Sequence, residues 1–226
     1  MLACVAIVIS IIVAIFTEIN ISNSCSGSRQ NTTNSSRGVA DKPLIYLYPE
    51  QETTVSVQLG FPEKLTTTYP TYTTAWQVIA HPDGKLTDTK TNRELYGLYW
   101  EGKDSTLQAT NEGFVVAGSD TSTFLEEKLA LLGLNEREAN EFIIYWLPKL
   151  QSNNYNYIRF ATPAEIEENM PLSITPTPDT TIRIMMVSKP LESPIEVTPQ
   201  ELSHPERYGF TAVEWGGTIV GSEVDE

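Results

Sequence analysis

The chain has 226 residues, 40% of them hydrophobic, with 15 Lys+Arg against 29 Asp+Glu and a formal net charge of −14. That composition is globular and excludes a disordered or collagen-like chain. The acid excess also disfavours nucleic acid and anionic membrane surfaces as partners, since both call for clustered Lys and Arg, which the chain nowhere gathers.

Residues 2–16 (LACVAIVISIIVAIF) form an unbroken apolar run without a charge. The run falls short of the about 20 residues that span a bilayer comfortably, so residues 1–21 read as a signal peptide or an N-terminal membrane anchor. Only Met1 precedes the run, where a secretory signal carries Lys or Arg. Residues 22–41 are rich in Ser, Thr, Asn and Gly, the composition of a flexible tether. An anchor, a tether and then one globular domain over 42–226 is the layout of an exported surface protein, and the domain is expected outside the membrane. Arg29, Arg37 and Lys42 pull weakly the other way under the positive-inside rule. Both cysteines, Cys4 and Cys25, fall in this leader, so no disulfide or thiolate metal site is expected in the domain. Cys25 is a candidate for lipid attachment, against which stands the lack of an apolar residue in Ser22-Asn23-Ser24 before it.

Residues 44–48 are apolar or aromatic throughout and stop at Pro49, the pattern of a central strand buried on both faces. In 54–59, Val55, Val57 and Leu59 alternate with Thr54, Ser56 and Gln58, as in a half-exposed strand. Residues 76–80 alternate too and run into the turn His81-Pro82-Asp83-Gly84, and 93–101 read as a fourth strand. Short turns between the four predict one antiparallel layer of a sandwich.

A pair of helices follows. Ser119 or Asp120 caps the first, Phe124, Leu125, Leu129 and Leu132 keep helical spacing, and Gly133 supplies a left-handed end. Asn135 and Glu138 predict a capping box for the second, whose stripe is Ala139, Phe142, Ile143, Trp146 and Leu147 and which Pro148 ends or kinks. The short link predicts an antiparallel hairpin over one face of the sheet. Residues 155–160, 182–187 and 210–215 read as further strands. Between them, 161–179 and 189–207 read as long surface connections, with a short helix at 164–168. The expected fold class is α+β: a mainly antiparallel, sandwich-like β-sheet with an inserted two-helix hairpin packed on it.

No phosphate loop, nucleophile elbow or H-E-x-x-H motif occurs, and His81 and His204 each lie isolated beside a proline, so no cofactor and no metal are expected. The remaining chemistry belongs to carboxylates and aromatics. Trp100-Glu101-Gly102 and Glu214-Trp215-Gly216-Gly217 each set an acid beside a Trp where a predicted strand opens into glycines. An indole face stacks on sugar C–H groups and a carboxylate accepts hydroxyl hydrogen bonds, so Trp100, Glu101, Glu214 and Trp215 are the candidate ligand-binding residues. Glu101 and Glu214 in one cleft are also catalytic candidates, as the acid and the base or nucleophile of a glycosidase. The plainer alternative makes both Trp packing residues and pairs the two Glu with Arg159 or Arg183. Alternation puts Glu214 on the face of Phe210 and Ala212, so if that face is inward Glu214 needs a partner. Glu50, after Pro49, is a third carboxylate of this kind.

The segments 42–50 (KPLIYLYPE), 99–102 (YWEG), 145–148 (YWLP), 176–179 (PTPD) and 214–217 (EWGG) together resemble the landmarks of a poorly characterised family of exported or membrane-anchored bacterial proteins, with similar ones in fungi. The resemblance covers residues 42–217. It implies export and a single domain, and no catalytic assignment.

Three functions follow as expectations. The favoured one is a non-catalytic surface module binding a glycan or an envelope protein, touching the membrane through its N-terminal segment alone. The others are a carboxylate-dependent hydrolase of envelope polysaccharide and a purely structural surface protein. Glu101 and Glu214 side by side in a cleft would mark the enzyme, exposed aromatic rings the glycan binder, and burial of all four Trp the structural protein. The acidity is concentrated late in the chain, where residues 163–226 hold 12 acids and 3 bases, the composition of a solvated face.

Overall fold

The computed structural model describes residues 38–221, and in them the chain builds two β-sheets and three α-helices. The expected anchor over residues 1–21 and residues 22–37 of the expected tether, Cys25 included, lie outside the described residues; residues 38–41, expected as the end of that tether, instead belong to β1, paired with β7 and β13, and Ala40 is buried among the core residues. An eight-stranded mixed sheet runs in the order β12 (Thr198–Pro199), β8 (Glu112–Ala117), β9 (Tyr155–Phe160), β11 (Thr180–Leu191), β13 (Thr211–Ile219), β1 (Gly38–Tyr48), β7 (Leu98–Ser105) and β3 (Leu65–Tyr69). A five-stranded antiparallel sheet runs β10 (Leu172–Thr175), β2 (Thr53–Leu59), β4 (Trp76–Ala80), β5 (Leu86–Asp88) and β6 (Glu94–Leu95). The helices are α1 (Thr121–Leu131), α2 (Glu136–Leu150) and α3 (Pro163–Asn169).

The architecture is α+β and broadly sandwich-like, but the four N-terminal strands do not share one layer. β1 and β7 belong to the large sheet, β2 and β4 to the small one. The run 93–101, expected as one strand, is broken after Leu95, so that β6 ends in one sheet and β7 starts in the other. Gly97 makes that crossing because a Cβ there would lie 2.9 Å from Leu44 Cδ1. Nor is the large sheet purely antiparallel. β11 and β13 pair in parallel from Thr180↔Thr211 to Ser188↔Ile219, which the connection between them allows because it is long enough to carry the chain back to the same end.

Alternation along β1 and β13 divides two cores. Ile45, Leu47, Met185, Val187 and Ala212 point to the small sheet and meet Val55, Val57, Trp76 and Val78. Leu44, Tyr46, Ile184, Val213 and Trp215 form the second core with Leu125 and Leu129 of α1 and Phe142, Trp146 and Leu150 of α2. A strand between two cores needs apolar residues at every position, which is why 44–48 reads as it does. α2 begins on the Asn135–Glu138 capping box, and it continues through Pro148 to Leu150. Asp120 stands at the N-cap of α1 but makes no side-chain capping bond.

Two strands run past their expected ends, β7 to Ser105 and β13 to Ile219. Gly102, Gly216 and Gly217 are therefore mid-strand residues and do not open loops. A Cβ on Gly217 would fall 2.8 Å from Trp146 Cζ2 and 2.7 Å from the Met186 carbonyl oxygen, so this glycine is what lets the α2 indole lie against the sheet.

Candidate functional site

Because β7 and β13 continue, Trp100 and Trp215 are enclosed. Trp76, Trp100, Trp146 and Trp215 are 3%, 5%, 0% and 0% exposed. Trp100 Nε1 donates to Glu214 Oε1 at 2.9 Å, and Arg183 Nε donates to Glu214 Oε2 at 2.7 Å. Arg183 and Glu214 are direct partners across the parallel β11–β13 pair, so register alone delivers the guanidinium to the carboxylate. Arg183 also donates to Glu167 Oε2 at 3.2 Å and to the Met170 carbonyl. Both Glu214 oxygens are engaged, and its side chain is 1% exposed. Of the two arginines named as partners from the sequence, Arg183 takes Glu214. Arg159 instead forms a two-pronged pair with Glu165 at 3.0 and 2.8 Å, and its guanidinium holds that carboxyl below the usual range.

Trp215 lies on the helix face. Its Nε1 donates to the Tyr46 hydroxyl at 3.2 Å, which in turn donates to Glu141 Oε2 at 2.6 Å. Burial, then that carboxylate, pushes the Tyr46 phenol well above its ordinary value.

Glu101 shares this face with Tyr99, while its neighbour Trp100 points to the small sheet. Glu101 and Glu214 therefore lie on opposite faces of the large sheet and form no common cleft. Glu101 joins a half-exposed group at the C-terminal end of α2. There Lys149 Nζ sits 3.4 Å from Asp41 Oδ2 and 3.1 Å from the Tyr145 hydroxyl, and Lys42 Nζ lies 5.0 and 5.6 Å from the Tyr99 and Tyr145 ring centres. Burial raises the Asp41 carboxyl despite Lys149, and burial with the Glu101 hydrogen bond raises the Tyr99 phenol. These charges already answer one another. Glu50 is exposed, and His81 faces Glu52 at 3.5 Å. Among the described residues no group of three or more His, Cys, Asp or Glu is placed to hold a metal ion.

An open acid–aromatic site exists elsewhere, at residues the sequence did not single out. A cavity of about 200 Å³ lies between the end of β3 and the β4–β5 pair, walled by Tyr69, Trp76, Gln77, Asp88, Lys90 and Arg93. Tyr69 ends β3 with 49% exposure, and the buried Trp76 is among the residues that line the cavity. The 70–75 segment is braced: Trp76 Nε1 donates to the Pro70 carbonyl at 2.7 Å, the Tyr72 ring meets the Trp76 ring edge-on at 5.0 Å, and the Tyr72 hydroxyl donates to the Thr74 carbonyl at 2.9 Å. Across the cavity, Asp88 is 5% exposed and closes the 88–93 turn. Its carboxylate accepts from Thr91 Oγ1 at 2.5 Å, its N–H donates to the Arg93 carbonyl at 3.0 Å, and its own carbonyl accepts from Asn92 N–H at 2.8 Å. Lys90 Nζ donates to Thr73 Oγ1 at 3.2 Å and so ties the two walls together. The signal missed in the sequence was short: a Thr-rich strand ending in Tyr69, and an Asp and an Arg bracketing a polar turn.

A larger groove of about 580 Å³ along β8 is mostly apolar, with Phe114, Val115, Phe124, Ile195 and Val197 in its wall. Its charged lining residues are Lys128 and Glu196, and the Lys128 ammonium is held over the Phe114 and Phe124 rings at 5.3 and 5.8 Å.

No protein-family model matches the chain. Over 81 residues it is 35% identical to an uncharacterised protein in the bglA 3′ region of Butyrivibrio fibrisolvens, a match that covers 34% of this chain and 78% of the relative. No solved structure matches.

Proposed function

The chain belongs to one family with the Butyrivibrio fibrisolvens protein, and, since that protein's name states no activity, we propose from geometry a non-catalytic saccharide-binding module displayed on the cell surface. One observation carries the reading: the braced cavity beside Tyr69 combines an exposed phenol ring with several polar groups in a space of about 200 Å³. That is below the roughly 300–1,000 Å³ of drug-sized sites and suits a single sugar ring. A ring wall for C–H stacking with polar groups around it is the usual chemistry of sugar sites. Trp100 and Trp215, first candidates for stacking, are buried and serve the two cores. Surface display rests on the apolar leader, the tether and the five landmark segments. α1 and α2, read as an inserted hairpin, close the sheet face away from the cavity.

A glycan array probed with the full chain, Tyr69→Ala and Trp100→Phe tests this reading. It expects binding that Tyr69→Ala abolishes and Trp100→Phe leaves in place. Absence of binding, or loss with Trp100→Phe alone, would overturn it. A purely structural surface protein is the second reading, favoured by the burial of all four Trp, and an empty array on a stable chain would support it. Protease shaving of intact cells checks display, and a domain cut only after lysis contradicts it.

A further inference from the structure

The charges around the Tyr69 cavity are unequal in how far they are satisfied. Asp88, its one acid, is nine-tenths buried and engaged by Thr91 Oγ1 and, more distantly at 3.4 Å, by Lys90 N–H, so its negative charge holds the turn. The Lys90 ammonium donates to the neutral Thr73 hydroxyl and not to a carboxylate. Arg93 is exposed at the rim, and its guanidinium forms no hydrogen bond or ion pair with the described residues. The other arginines of the described residues behave differently: Arg159, Arg183 and Arg207 are each bonded to a carboxylate, and Arg137 lies 3.3 Å from Glu141. In a chain with a formal net charge of −14, an arginine left without an acid beside a cavity is the exception. Two cations against one engaged anion make the cavity locally positive.

We infer that the Tyr69 cavity selects an acidic sugar, a uronate-type residue whose carboxylate meets Arg93 and Lys90 while its ring rests against Tyr69. This rests on the saccharide-binding reading and names the ligand class for the same site. A guanidinium presents two parallel N–H donors that match a carboxylate, and an ammonium adds a second, flexible donor. A sugar carboxylate is fixed to the ring, so one ligand satisfies ring wall and cations together. A neutral sugar leaves the two cations without an anion, and a free acidic peptide offers no rigid ring to the Tyr69 wall. The rest of the acidic surface repels anions at long range, so binding is expected to strengthen as salt screens that field and to weaken only when salt competes at the cavity itself.

The test is calorimetric titration of the full chain and of Arg93→Gln with short oligomers of galacturonic and glucuronic acid. Their methyl esters serve as neutral matches and an oligo-glutamate as an acidic peptide. Arg93 is exposed, so Arg93→Gln should leave folding intact, and a thermal melt of the variant confirms it. The inference expects at least one acid oligomer to bind about tenfold or more tighter than its ester, the difference to vanish in Arg93→Gln, and oligo-glutamate not to compete. Acid and ester binding alike would overturn the acidic-sugar inference and leave the saccharide reading standing. Acid oligomers binding equally well to Arg93→Gln, or displaced by oligo-glutamate, would overturn it as well. No binding by any oligomer would overturn the acidic-sugar inference, and the glycan array separately decides the saccharide reading.

Discussion

The same three residue types, a Trp, an acid and an Arg, are assembled twice in this molecule with opposite results. At Trp100, Glu214 and Arg183 each polar group finds its partner within the set, and the site is closed. At Trp76, Asp88 and Arg93 the indole N–H goes to a backbone carbonyl, the acid goes to its own turn, and the arginine is left over at a cavity rim. The difference comes from where the residues sit. Arg183 and Glu214 are fixed opposite each other by strand register, at the middle of the eight-stranded sheet. Asp88 and Arg93 sit at the two ends of a turn whose backbone already joins them, so their side chains are free to diverge. Composition of a site is therefore a poor guide to its role, and the satisfaction of its donors and acceptors a better one.

Breaking the closed set should give the largest effect. Glu214→Ala leaves Arg183 and the Trp100 N–H without their acceptor in the interior, and removal of one partner from a buried pair costs about 3–5 kcal/mol. Urea unfolding of the full chain measures it, and a loss under about 1 kcal/mol would mean that Glu214 is not an internal strut. Gly217→Ala comes next. The new methyl group meets Trp146 and the Met186 carbonyl, and overpacking of this kind costs about 1–3 kcal/mol.

The Arg159–Glu165 pair gives a smaller, pH-dependent effect. The folded carboxyl titrates below the ordinary value of 4.5, so its stabilisation is fully present above that value and disappears as the pH falls through the folded value. Wild type should exceed Glu165→Gln in stability at neutral pH, and the gap should close below pH 4.5. A gap that persists into acid would contradict the pairing. Tyr69→Ala should change stability least, within about 0.5 kcal/mol for so exposed a residue. It sharpens the comparison because the same change is expected to remove ligand binding.

Local chemistry made much of the framework legible. The all-apolar 44–48 run marked a strand between two cores, the alternation in 54–59 marked β2, and Asn135 with Glu138 marked the start of α2. Partition into two sheets and the parallel β11–β13 pair were not legible, since both depend on which distant strands meet. The glycines after Trp100 and Trp215 misled for a definite reason. A glycine that opens a loop and one that admits a neighbouring ring look identical in sequence, and Gly217 is the second kind. Glu101 and Glu214 looked equivalent because each neighbours a Trp, but opposite parity within their strands sends them to opposite faces. The cavity residues lie on a short edge strand and a polar turn, where no periodicity distinguishes a ligand contact from a solvated side chain.

Hydrogen–deuterium exchange on the full chain, with and without a uronate oligomer at saturating concentration, tests the central claim most directly, because it locates the ligand. Protection confined to peptides covering residues 69–77 and 86–95, with no change around Trp100 and Glu214, is the predicted result. Protection centred on Asp41, Tyr99, Glu101 and Tyr145, or none anywhere, would contradict it.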